Sequence, residues 1–129
     1  MGVQILVVDD SAAIRKILQR VLRQTGMPIA TIIEAGDGEE ALATLGAQGA
    51  DLVLTDINMP KMDGLQLLGR MKAAAAWQLI PVIMITTEGG ETKVAEAVRL
   101  GAAGYVRKPF TADQIKEKLG RILELPSPV

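Results

Sequence analysis

Asp9 and Asp10 stand side by side at the end of a short apolar run, and Asp56 stands alone at the end of another. Thr86 closes a further run of this kind, and Lys108 follows one more. The side chains on offer are thus three carboxylates, a hydroxyl and an ammonium. Carboxylates brought together repel, and some hold a proton unless a cation joins them. Hard oxygen donors suit Mg²⁺, with Mn²⁺ as the alternative, and Mg²⁺ keeps several waters while bridging to phosphate. A metal ion beside a lysine neutralises a transferring phosphoryl group. With a carboxylate as nucleophile, the product is an aspartyl phosphate. Asp56, the lone acid, is the better nucleophile. The Asp9-Asp10 pair is the better metal clamp.

Composition removes most other chemistry. The chain of 129 residues contains no His and no Cys. Ser-His-Asp catalysis, imidazole or thiolate zinc sites, thiol nucleophiles and disulfide scaffolds are therefore excluded. Aromatic residues are 2%, namely Trp77, Tyr105 and Phe110, too few for a stacked flavin or sugar site. The formal charge of −1 argues against nucleic acid or an anionic membrane as partner, since both need a basic excess. No apolar run approaches a membrane span, and no signal-peptide pattern opens the chain, so a cytoplasmic location is expected. At 49% hydrophobic, the chain can fill one core. The expected organisation is a single domain over residues 1–125 with a short tail or linker stub over 126–129, where Pro126 and Pro128 stand.

The elements that must hold these side chains can be read from periodicity. Gln4 to Val8, Thr31 to Ala35, Leu52 to Thr55, Pro81 to Thr86 and Gly104 to Arg107 read as strands, the first of them buried. Between them lie helical patterns. Ile14, Ile17, Leu18, Val21 and Leu22 form an apolar stripe behind a Ser11 cap. Asp37 with Glu40 opens a second helix, and Leu65, Leu68 and Met71 mark a third beyond Asp63-Gly64. Glu91 to Leu100 carries Val94 and Val98 inward, and a Thr111–Gln114 capping box precedes Ile115, Leu119, Ile122 and Leu123. Strands alternating with helices predict an α/β fold: a doubly wound parallel sheet of five strands, order 2-1-3-4-5, covered by helices on both faces. Ligands of such sheets sit beyond the carboxyl ends of the strands where the order reverses, here between the first and third. Asp9, Asp10 and Asp56 end those two strands, with Thr86 and Lys108 on the same rim.

Each residue has a plainer role open to it. Asp10 serves as well in a helix cap, Asp56 in a turn, Thr86 as a surface hydroxyl and Lys108 as a solvated charge. Asp63-Gly64 is read as turn and helix-start chemistry only. The conjunction on one rim is what favours a site.

The segments Leu6-Val7-Val8-Asp9-Asp10-Ser11, Leu54 through Gly64, Ile85-Thr86-Thr87-Glu88 and Gly101 through Phe110 together resemble a response-regulator receiver domain, closest to the stand-alone chemotaxis type. The resemblance covers nearly the whole chain. It implies that Asp56 accepts phosphate from a histidine kinase. It also implies that Asp9, Asp10, Asp56 and the backbone carbonyl of Asn58 bind Mg²⁺, and that Lys108 pairs with the phosphoryl oxygens. Thr86 and Tyr105 would be the switch pair, while Asn58 and Glu88 would tune the phosphoryl lifetime. The Lys108-Pro109 bond would be cis. A downstream protein would be controlled through the fourth helix, fifth strand and fifth helix, and the chain would be a monomer. The absence of His agrees, because the donor imidazole must then sit on a partner. Three features depart from the closest pattern: Ile57 replaces an aromatic, Trp77 lies in the connection before the fourth strand, and Gly89-Gly90 would loosen the loop before the fourth helix.

Other readings remain at this level. An aspartate-nucleophile phosphatase of the haloacid dehalogenase type also uses Mg²⁺, but wants a second acid two residues past the nucleophile, where Asn58 stands. A flavodoxin-like carrier would want stacking aromatics, and Asp9-Asp10 would repel its cofactor phosphate. A receiver that serves only as an interaction module would not need the intact acid set. Among receivers, a phosphorelay shuttle or a domain from a larger regulator are the alternatives to a chemotaxis role.

Overall fold

The computed structural model describes residues 2–86 and 91–122. Strands and helices alternate as β1 (Val3–Val8), α1 (Ala12–Gln24), β2 (Ile29–Ala35), α2 (Gly38–Gln48), β3 (Leu52–Asp56), α3 (Gly64–Lys72), β4 (Val82–Thr86), α4 (Glu91–Leu100), β5 (Gly104–Arg107) and α5 (Ala112–Ile122). The five strands are parallel in the order β2-β1-β3-β4-β5, as the alternation predicts.

Successive strand residues face opposite sides of the sheet, so each strand feeds two cores. Leu6, Val8, Val53, Val82 and Met84 pack with Ala41 and Leu45 of α2, Leu67, Leu68 and Met71 of α3, and Ala97 of α4. Ile5, Val7, Leu52, Leu54, Ile83 and Ile85 pack with Leu18 and Leu22 of α1 and Ile115 and Leu119 of α5. Burial on both faces explains why the central strands read as unbroken apolar runs rather than alternating ones.

The helix starts follow local chemistry. Ser11 Oγ accepts from Ile14 N at 3.3 Å, and Asp63 forms a capping box with Gln66. Thr111 and Gln114 exchange the reciprocal bonds expected of them. Asp37 caps Glu40 N at 2.9 Å, but the Glu40 carboxylate accepts from Gly36 N instead of closing the box on Asp37.

Two apolar assignments need correction, and the core of α3 gains a residue. Ile17 is 47% exposed, and only Leu18 and Leu22 of the α1 stripe are buried. In α4 the inward residue is Ala97 rather than Val98, which is 58% exposed. In α3, Leu67 joins Leu68 and Met71 in the core, and Leu65 packs against it partly buried. In α4 the stripe is rotated, because tertiary packing, not the sequence period, sets which face is covered. Leu123 and the segment 126–129 lie outside the described residues.

Register places the site. Val8 pairs with Thr55, so Asp9 and Asp56 leave β1 and β3 at one level. Asp56 pairs with Ile85, and Thr86 with Arg107, which puts Lys108 one step beyond β5 on the same edge.

Candidate functional site

The carboxyl ends of β1, β3, β4 and β5 meet in one acidic crevice. Carboxylate oxygens of Asp9, Asp10 and Asp56 all lie within 4.8 Å of one another. Asp9 is buried, at 1% exposure, and is held from several sides. Its Oδ1 accepts from Ser11 N at 2.9 Å, its Oδ2 accepts from Lys108 Nζ at 3.1 Å, and its N–H donates to Ala35 O. Arg15 of α1 donates to the Asp9 carbonyl while its Nε pairs with Glu34 at 2.9 Å. The backbone turn that carries the acid pair is therefore tied to both α1 and β2.

Asp56 is half-buried. Its Oδ1 accepts from Ile57 N at 2.8 Å, and its Oδ2 lies 3.8 Å from Lys108 Nζ. Burial pushes its carboxyl above the ordinary value of 3.8, the Lys108 ammonium draws it back, and Asp9 and Asp10 add to the rise. The expected repulsion among the acids is thus present, and one ammonium relieves only part of it. Beneath Asp56 the chain passes very close to α3. Gly64 N donates to Ile57 O at 2.8 Å, and a β-carbon on Gly64 would collide with the Asp56 carbonyl oxygen.

The donor set fits a hard divalent cation. Three carboxylates from two adjacent strands offer oxygen alone, with no nitrogen or sulfur ligand near, and their spacing suits one ion. The residual repulsion is what such a cation removes.

The remaining residues singled out in the sequence are spread around this crevice. Thr86 is buried at the end of β4, and its carbonyl accepts from Lys108 N at 2.8 Å. Tyr105 points outward, 41% exposed, with Lys118 Nζ 5.7 Å from its ring centre. Asn58 is exposed, and its Oδ1 accepts from Lys93 Nζ at 2.6 Å. The Lys108-Pro109 bond is cis. Glu88 and Gly89-Gly90 lie outside the described residues. Two participants escaped the sequence reading. Arg15 could have been found as a cation one helical turn past the acid pair. Lys93 left no local signal, because its contact spans 35 residues.

A profile of the response regulator receiver domain matches residues 5–120. The chain belongs to this family. The receiver is 42% identical to chemotaxis protein CheY1 of Helicobacter pylori over 121 residues, covering 93% of this chain and 96% of that one. It is 40% identical to chemotaxis protein CheY of Pseudomonas aeruginosa, covering 94% and 96%. Among solved structures it resembles CheY4 of Vibrio cholerae, with a TM-score of 0.84 and 31% identity over 95% of this chain and 99% of that one. The phosphorylated cyanobacterial phytochrome response regulator RcpA shares the fold with a TM-score of 0.82 at 25% identity, each chain covered fully. This receiver is therefore a two-component response regulator related to the chemotaxis proteins. Its family consists of signalling proteins rather than enzymes in general. Among the described residues, no helix is long and apolar enough to cross a membrane.

Proposed function

We propose that this receiver takes a phosphoryl group onto Asp56 from a phosphohistidine of a partner kinase. The observation that carries the reading is the position of the Asp56 carboxylate, half-buried between the Asp9-Asp10 pair and Lys108. One Asp56 oxygen attacks phosphorus as the P–N bond to the donor imidazole breaks. The ring nitrogen leaves with the electron pair and takes a proton from water. Lys108, already 3.8 Å from Asp56 Oδ2, is placed to pair with the incoming phosphoryl oxygens. Ile57 N–H holds Asp56 Oδ1 and so orients the carboxylate. Asp9, Asp10, Asp56 and the Asn58 carbonyl would hold Mg²⁺, or Mn²⁺, which supplies charge neutralisation when bound.

The phosphoryl group brings roughly −2 of charge to the rim in place of one carboxylate charge. Thr86, at the end of β4, turns toward it, and Tyr105 moves inward from its exposed position. The α4-β5-α5 face then presents a different surface to a downstream protein, by likeness to its relatives a chemotaxis component. The chain acts as a monomeric cytoplasmic phosphoacceptor over residues 1–125, assisting its own phosphorylation and dephosphorylation rather than turning over substrate.

Incubation with Mg²⁺ and phosphoramidate, followed by peptide mass spectrometry, tests this. A single phosphoryl adduct on Asp56, lost in Asp56→Asn and suppressed by a chelator, is expected. No adduct, or equal labelling of Asp56→Asn, overturns the reading.

A further inference from the structure

Helix α4 is joined to the phosphorylation rim by a contact that nothing in the acid cluster requires. Lys93, in the first turn of α4, donates from Nζ to Oδ1 of Asn58 at 2.6 Å. Asn58 lies in the connection between β3 and α3, two residues past Asp56. Both side chains are exposed. An ammonium carries donors only, so this bond fixes the carboxamide with its oxygen toward α4 and its NH₂ group on the other side. Apolar packing holds α4 weakly. Among its described residues only Ala97 is buried, so a polar tie at its first turn has little competition in setting where that end lies.

We propose that Lys93 is a positioning residue for the aspartyl phosphate, acting through Asn58 to set how open the acceptor is to water and so linking α4 to the lifetime of the mark. The inference rests on Asp56 as acceptor. Hydrolysis brings a water oxygen to phosphorus as the P–O bond to Asp56 breaks. The carboxylate leaves with the electron pair, and the water's proton passes to solvent with inorganic phosphate. While Lys93 holds the Asn58 oxygen, the carboxamide leans toward α4 and the approach stays open. Without the ammonium the carboxamide is free to turn over the phosphoryl group, where its NH₂ donates to a phosphoryl oxygen and impedes water. The same tie makes any partner that moves α4 a regulator of hydrolysis.

A hydrogen bond between exposed groups is weak, so the effect is modest, about two- to fivefold. The test uses the full chain, phosphorylated with phosphoramidate and followed after donor removal. Lys93→Met slows loss of phosphate about two- to fivefold, and Lys93→Arg restores the wild-type rate. In an Asn58→Ala background, Lys93→Met has no further effect. In the unphosphorylated protein, the Asn58 side-chain amide resonances shift in Lys93→Met and return in Lys93→Arg. An unchanged or faster rate in Lys93→Met, or the same slowing without Asn58, overturns the proposal while leaving the acceptor reading intact. A wild-type protein that takes no phosphoryl group on Asp56 overturns both.

Discussion

The acid rim and the α4-β5-α5 face are built to opposite standards. At the rim, Asp9 is buried, bonded through both carboxylate oxygens, and braced from behind by Arg15. The backbone under Asp56 is pressed against Gly64 with no room for a β-carbon. On the other face, Val98, Leu100 and Tyr105 are all among the exposed large apolar side chains, and among the described residues of α4 only Ala97 is buried. A rigid pocket keeps its charges in place while the chemistry changes around them, which electrostatic catalysis requires. A helix as lightly packed as α4, unlike α5 with Ile115 and Leu119 in the core, can shift at small cost, so it is where a local change in charge can be read. On the function proposed above, the difference would place reaction and readout on different elements, joined by Thr86, Lys108 and the Lys93–Asn58 tie.

Three substitutions press on that contrast. Gly64→Ala attacks the rigid side where no side chain can give way, since the clash is with backbone. It should lower stability by about 2–4 kcal/mol in denaturant unfolding and cut phosphoramidate labelling of whatever remains folded. A fully stable, fully labelled Gly64→Ala protein would show the rim to be compliant after all.

Asp56→Asn probes the electrostatic load on the same side. The folded-state pKa of Asp56 is raised, mainly by burial. The folded protein therefore binds that proton more tightly than the unfolded chain does. Stability from this group is present at low pH and is lost as pH rises from the unfolded value through the folded one. In chelator at neutral pH the charged carboxylate is a net penalty, and Asp56→Asn should raise the melting temperature by about 2–5 °C. The variant should also lose the part of the acid-side pH profile that Asp56 contributes. A lower melting temperature would mean that the Lys108 contact outweighs burial and repulsion.

The smallest effect belongs to the helical shell. Gly120 in α5 has open space where a β-carbon would go. Gly120→Ala should stabilise by about 0.5–1 kcal/mol through helix propensity alone, with phosphorylation unchanged. Loss of stability there would extend the tight packing of the rim to the outer face of α5.

Much of the site was legible because it depends on chain order. Apolar runs that stop at Asp9, Asp56, Thr86 and before Lys108 mark strand ends, and a right-handed alternating fold brings those ends to one edge. The buried faces of the helices were less legible. A stripe of Val94 and Val98 is as good a helical period as one through Ala97, and the period alone does not say which of them the packed molecule buries.

The amino-acid order was sufficient for the strand succession, the acidic crevice and the capping of α1, α3 and α5, since each rests on neighbours a few residues apart or on the handedness of the chain. The contact of Arg15 with the Asp9 carbonyl, the reach of Lys93 to Asn58, and the clearance beneath Asp56 came only with the packed molecule. Those are matters of distance between elements remote in sequence, and no local preference encodes a distance.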